Sequence, residues 1–232
     1  MDNLSLQHIC YLVLLFFVFS VLGWCMEVLL KYIQYHRFIN RGFLIGPYCP
    51  IYGSGIVFIT VMVSILSGME SSVGTTFSIS FIGCGILEYA VSYYLEKRFH
   101  ARWWDYSTKP MNLHGRIWIG NLILFGIGGT LVIEVINPIM YSLFALIPER
   151  SLYALTSIII LTMSADYLTS HFVMKFVKSS VESSEADNTE SISKEIKLLM
   201  HNKSILYRRI ADAYPDVIYR TDRINKRMRE IK

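Results

Sequence analysis

Charge is scarce over most of this chain. Residues 1–178 hold only 11 of the 22 Lys and Arg and 9 of the 18 Asp and Glu. Several apolar runs in that stretch exceed the roughly 18–20 residues needed to cross a bilayer, which excludes a water-soluble domain there. Cysteine is also sparse. Cys10, Cys25, Cys49 and Cys84 form no CxxC or other metal-ligand spacing. Three of them fall in apolar runs, where cysteine packs as a small hydrophobe. We therefore expect no structural disulfide, no metal and no other cofactor.

Catalytic signatures are missing as well. His8, His36, His100, His114, His171 and His201 are scattered, with neither HExxH nor HxxxH. Gly53-Ser54-Gly55 lacks the spacing of a nucleophile elbow, and no Walker A run is present to hydrolyse ATP. An enzyme is not expected, and an intramembrane one is the least favoured class of function. The pI of 8.8 and net charge of +4 do not point to nucleic acid, because the basic residues follow membrane topology.

What the chain does have is hydrophobic length: 53% of residues are hydrophobic and the mean hydropathy is +0.41. The pattern predicts an all-α polytopic membrane protein. Residues 1–178 form the transmembrane domain, with about five spans at 8–33, 50–67, 75–96, 115–136 and 152–177. The first run has Asp2, no Lys or Arg before it, a long apolar core and no small-x-small cleavage site, so it reads as a retained helix. Asn137-Pro138 is expected to end or kink the fourth span, because proline disfavours helix at the residue before it. Residues 139–147 would then lie in the interface or re-enter the membrane. With the N-terminus outside, the inner side receives Lys31, Arg37, Arg41, Lys97, Arg98, Arg102, Lys109, Arg116, Lys175 and Lys178, and the outer side only Arg150. That bias places the protein in the cell membrane with its C-terminus cytoplasmic.

Residues 179–190 are polar and acidic and read as a linker. Residues 191–232 read as a separate helical cytoplasmic tail. Its first helix is amphipathic through Ile192, Ile196, Leu199, Ile205, Leu206 and Ile210. After Pro215, a short basic helix over 217–232 carries Arg223, Lys226, Arg227 and Arg229. It suits anionic lipid or a partner, with a simple solvated helix as the alternative.

An offset of 61 residues aligns Glu27 with Glu88, Tyr32 with Tyr93, Arg37 with Arg98, Phe38 with Phe99 and Arg41 with Arg102. Composition alone predicts about one identity in these fifteen positions, so the match suggests two parallel helix-loop-helix repeats followed by one further span. Generic residue usage at helix ends is the competing explanation. Transporters built from repeats hold their substrates at the repeat interface.

Two loops stand out. Arg41-Gly42-Phe43-Leu44-Ile45-Gly46-Pro47-Tyr48-Cys49-Pro50-Ile51-Tyr52-Gly53 joins the first two spans and is too rich in Gly and Pro to be helical throughout. Pro50 suits the head of the second span. The second loop carries Arg102-Trp103-Trp104-Asp105-Tyr106-Ser107 and Asn112-Leu113-His114-Gly115-Arg116. The alternatives are a tight turn and an interfacial aromatic anchor.

Ionisable residues inside spans are costly and mark function by default. Glu27 and Glu88 occupy equivalent repeat positions and would face each other, each paired with Arg41 or Arg116. Unpaired, a buried carboxylate tends to become protonated. The starts of the second and fourth spans turn their positive ends to the inner face and, with these arginines, suit an anionic group. Glu27, Glu88 and Asp105 add a cation-binding side. The expected substrate or ion site is Glu27, Arg41, Glu88, Asp105, Asn112 and Arg116, with Glu134 and Asp166 as secondary intramembrane carboxylates. Structural glue between helices is the alternative role for these carboxylates.

Several strings are also specific enough to carry a resemblance. They are Gly23-Trp24 with Glu27, Arg41-Gly42-Phe43-Leu44 with Gly46-Pro47, Cys49-Pro50-Ile51-Tyr52-Gly53, Leu87-Glu88-Tyr89, Leu95-Glu96, Phe99, Trp104-Asp105-Tyr106, Asn112 and Gly115-Arg116. In these the chain resembles the bacterial multi-pass membrane family labelled "putative type IV ABC-transporter permease". Arg208-Arg209 with Ala213-Tyr214-Pro215 resembles that family's C-terminal pattern.

The resemblance implies the membrane subunit of a transport system that passes a small polar solute or ion. Its expected partners are the lipid bilayer, a cytosolic ATPase subunit or another protein at the 97–113 loop or the tail, and a second copy of the chain. A non-transport scaffold, sensor or lipid-binding module that recruits a partner through its tail is the alternative.

Overall fold

The computed structural model describes residues 6–42, 44–66, 72–183, 189–213 and 218–219. Phe43, most of the turn after the second span, and the expected basic helix over 217–232 apart from 218–219 lie outside the described residues.

The apolar runs fold into helices: α1 (Leu6–Tyr35), α2 (Pro50–Leu66), α3 (Val73–Phe99), α4 (Ile119–Leu131), α5 (Asn137–Phe144) and α6 (Glu149–Ser183). In a bilayer only helices and closed barrels satisfy every backbone group internally. The protein is accordingly an all-α polytopic membrane protein. Among the described residues, four helical segments are long and apolar enough to cross: Leu6–Tyr35, Val73–Phe99, Ile119–Phe144 and Glu149–Ser180. Helix α2 has 17 residues. At 1.5 Å per residue it is about 25 Å long, the lower limit for the expected further crossing.

Helices α1 and α2 form one hairpin and α3 and α4 a second, with α2 against α3 and α6 against α1. The connections over 36–49 and 100–118 therefore lie at one end of the bundle, called here the loop face. Both α1 and α3 end on a left-handed histidine, His36 at φ 51° and His100 at φ 52°, whose N–H bonds the carbonyl four residues back. These histidines are 64 residues apart, whereas the repeat aligns at 61. Glu88 thus sits three residues, roughly one turn, further from its helix end than Glu27.

The fourth span differs from its expected limits. It begins at Ile119, because Ile117–Trp118 is strand β3, paired antiparallel with β2 (Asn112–Leu113). It does not stop at Asn137-Pro138. A π turn over Val132–Ile136 leads straight into α5. Proline has no N–H for the Glu134 carbonyl, and the widened turn, in which the Asn137 N–H reaches Val132 O, absorbs the mismatch. Residues 139–144 therefore continue the helix and form no separate interfacial segment.

The tail is also not separate. Helix α6 runs through the first part of the expected linker, to Ser183. Helices α7 (Thr189–Lys203) and α8 (Ile205–Ala213) fold back onto the loop face. Ile192, Ile196 and Met200 are fully buried against Val173, Met174 and Val177 of α6 and against Phe99 and Trp103. Strand β4 (Ile218–Tyr219) pairs antiparallel with β1 (Ala101–Arg102). The amphipathic reading is correct for Ile192 and Ile196, but Ile205 is 83% exposed. A second core joins Leu14, Leu15 and Phe19 of α1 to Phe144, Leu152 and Ile159 at the other end.

Close helix approach rests on glycine at a few points. A Cβ on Gly53 would collide with the Phe16 carbonyl, whereas one on Gly128 would meet nothing within 4 Å. Gly53→Ala is therefore expected to destabilise the protein by about 1–3 kcal/mol, as overpacking does. Gly128→Ala, in a helix interior with open space, should cost nothing and stabilise by up to about 1 kcal/mol. Thermal unfolding of the two variants in detergent checks this.

Candidate functional site

The Gly-Pro loop is built around Asp166. This carboxylate projects from α6 and accepts the backbone N–H of Ile45 at 2.8 Å and of Gly46 at 2.7 Å. It also accepts the Tyr48 hydroxyl at close range and the Ser170 hydroxyl at 3.0 Å. Gly42, at φ 113°, turns the chain into the loop, where a Cβ would press on Tyr48 O at 3.2 Å. The Cys49 N–H then returns to Ser20 O of α1 at 2.8 Å, and Pro50 opens α2 as expected at a helix head. Burial, followed by the Asp166 bond, pushes the Tyr48 phenol well above its usual range. Burial, and then the charge of Glu27, pushes the Cys49 thiol up to about 12.

The first predicted carboxylate, Glu27, accepts the Tyr52 hydroxyl on Oε1 at 2.7 Å. Its Oε2 lies 3.4 Å from Arg41 Nε. The same guanidinium donates to Ala213 O of the tail at 2.8 Å, and Arg209 donates to Gly42 O at 2.9 Å. The tail thus closes over the arginine that faces Glu27.

Among the described residues, the second carboxylate has no arginine partner. Glu88 is buried, and its Oε1 accepts from Asn121 Nδ2 at 3.1 Å and from the Tyr106 hydroxyl at 3.3 Å. Asn121 also donates to Tyr106 at 2.8 Å. The Tyr106 phenol is held high by burial first, then by Glu88, and the charge of Glu27 acts on it too. Tyr106 therefore stands within electrostatic reach of both repeat carboxylates.

Arg116 does not reach Glu88. Its Nη1 bonds Glu96, and its guanidinium lies over the rings of Tyr89 and Tyr93 at 5.7 and 5.4 Å. Glu96 also accepts from Arg102, at 3.0 and 3.2 Å. Asp105 pairs with Arg102 at 3.4 Å and takes the Ser107 N–H at 3.0 Å. Asn112 ties the loop to itself, donating to Lys109 O at 2.7 Å and accepting from the Gly115 N–H at 2.9 Å. These bonds hold Gly115 at φ 66°, where a Cβ would strike Asp105 Oδ1.

The six expected site residues thus fall into three groups: Glu27 with Arg41, Glu88 alone, and Arg116 with Asp105 and Asn112 in the second loop. Glu134 lies toward the far end and accepts the Thr76 hydroxyl at 2.9 Å. Asp166 is the loop's acceptor. Tyr52, Tyr106, Asn121, Glu96 and Arg209 were missed as site residues. For Tyr52, Tyr106, Glu96 and Arg209 the signal was their place in the family strings, and for Asn121 an amide opening an apolar span. Nothing local marked Tyr52 or Tyr106 as phenol donors to carboxylates.

A family model described as "Putative ABC-transporter type IV" matches residues 14–171, more than half of the chain. The chain belongs to that family. No curated protein and no solved structure matches it. The match covers α1 to most of α6, including Asp166, and stops before the tail that closes over Arg41.

Asp166→Ala leaves two loop N–H groups and a phenol without their acceptor. It is expected to cost about 3 kcal/mol or more, since hydrogen bonds to charged groups contribute about 1.5–3 kcal/mol each. Asp166→Asn, which keeps one acceptor oxygen, should cost less. Unfolding midpoints of the two variants test the order. With its pKa near 12, Cys49 is almost entirely thiol at pH 8. It should resist maleimide in the native protein and react after Asp166→Ala has opened the loop. Mass spectrometry of the labelled peptide reads both states.

Proposed function

We propose that the protein is a transporter component that passes a small polar solute or an ion across the cell membrane, with its loop face in the cytoplasm and its N-terminus outside. The observation that carries this reading is a seam of polar side chains through the interface of α1 to α5. It starts at Glu27 with Tyr52 and at Glu88 with Asn121 and Tyr106. It continues through the fully buried Ser80 and Thr76, the latter bonded to Glu134. It ends at Asn137, which donates to the Thr60 hydroxyl at 2.8 Å. Glu88 and Thr76 are twelve residues apart on α3, about 18 Å at 1.5 Å per residue, so the seam spans much of the hydrocarbon layer. Burying that many polar groups in a bilayer is costly and marks a substrate or ion path.

In this reading Glu27 and Arg41 form the loop-side end of the site, Glu88 is its second carboxylate, and Asp105, Asn112 and Arg116 shape the second loop. Family membership supports an ATPase as the cytosolic partner, and the second loop and the docked tail are the surfaces it would meet. A second reading, a scaffold that recruits a partner through its tail, is favoured by the exposed Leu198 and Ile205.

Purification from native membranes in mild detergent, followed by mass spectrometry, separates the two. A stoichiometric ATPase is expected for a transporter component. A different retained protein, with no ATPase, would overturn that reading in favour of the scaffold. The orientation has its own check: in a cysteine-free background, Met111→Cys, at a position 78% exposed, should react with an impermeant maleimide only after the cell membrane is opened.

A further inference from the structure

We propose that Glu88 is a binding site for one exchangeable proton, carried on Oε2. The residue is 7% exposed, and its two oxygens are treated unequally. Oε1 accepts from Asn121 and Tyr106. Oε2 is buried and has no hydrogen-bond partner among the described residues.

Among the described residues, the groups around it offer no compensating cation. Helix α1 brings Glu27, α2 brings Tyr52, which is bonded to Glu27, and α4 brings the neutral amide of Asn121. The second loop brings the Tyr106 phenol, and Cys84 lies one turn away on α3 itself. The nearby arginines are engaged elsewhere, Arg41 with Glu27 and both Arg102 and Arg116 with Glu96. A carboxylate here would place an unsatisfied anionic oxygen in the interior beside a second carboxylate. A proton on Oε2 removes that charge while Oε1 keeps both donors.

A metal ion does not fit as well. It needs several oxygen, nitrogen or sulfur ligands at once, and among the described residues no group of three or more His, Cys, Asp or Glu could hold one. The proton comes from water at the loop face and returns there, with Tyr106 of the second loop nearest that side.

This assignment stands on the geometry of Glu88 and not on the transport reading. The two can therefore fail separately. Absence of flux with the proton present would remove only the transport reading.

The test is infrared difference spectroscopy of the full chain in lipid nanodiscs, between acidic and alkaline pH, reading the carbonyl stretch of protonated carboxyl groups. A band that disappears at alkaline pH is expected in the native protein. It should be lost in Glu88→Gln and kept in Glu27→Gln. Asn121→Ala, which strips one donor from Oε1, should shift it to higher frequency. A purely packing role for Glu88 would move none of these. A spectrum that Glu88→Gln leaves unchanged, or a band that does not respond to pH, overturns the proposal. If Glu88→Gln does not fold, Asn121→Ala and Tyr106→Phe decide: an unshifted band in both overturns it.

Discussion

The loop face depends on one carboxylate receiving backbone. Asp166 takes two consecutive N–H groups, those of Ile45 and Gly46, and the Tyr48 phenol. A loop of this composition has no helix or sheet ladder to satisfy its donors, and buried backbone groups must find partners. Asp166 supplies them from α6 and so fixes where the loop lies against the bundle. The position of Gly42, the return of Cys49 to Ser20 and the starting point of α2 all follow from that fixed path. Arg41, at the head of the loop, is placed beside Glu27 by the same constraint.

The two hairpins share a plan and diverge in chemistry. Each has a carboxylate on its first helix that accepts a tyrosine phenol, and each first helix ends on a left-handed histidine. The first carboxylate has an arginine beside it. In the second hairpin the arginine at the repeat position, Arg102, is drawn to Glu96 and Asp105. Among the described residues, Glu88 is left with neutral donors. Two sites of common layout therefore give their carboxylates different partners, a guanidinium and a phenol in one and an amide and a phenol in the other.

Much of the architecture was legible because a bilayer imposes simple rules. Long apolar runs must be helices, and Gly and Pro between them must be loops. The pairing of Glu27 with Arg41 follows from their nearness across one turn of chain. Three features were not legible, for physical reasons. Asp166 and the loop it holds are about 120 residues apart, and no local pattern encodes such a contact. The amphipathic face of α7 announces burial but not its partner, so docking onto Val173, Met174 and Val177 could not be read. Asn137-Pro138 reads as an end or a kink because proline disfavours helix at the residue before it, and the π turn just before it, which lets the helix continue, is not encoded in that local rule.

The clasp between the tail and the first loop has a consequence for biogenesis. Arg41 donates to Ala213 and Arg209 to Gly42, contacts between residues about 170 positions apart in a chain made from its N-terminus. All six helices can enter the membrane while these bonds are still unmade. During that interval Arg41 lies open to the aqueous side, and the loop face is sealed only once synthesis has passed residue 213. Assembly of this end is therefore a late, post-insertion event, and the nascent protein passes through an inserted state in which the tail does not yet cover Arg41 and Gly42.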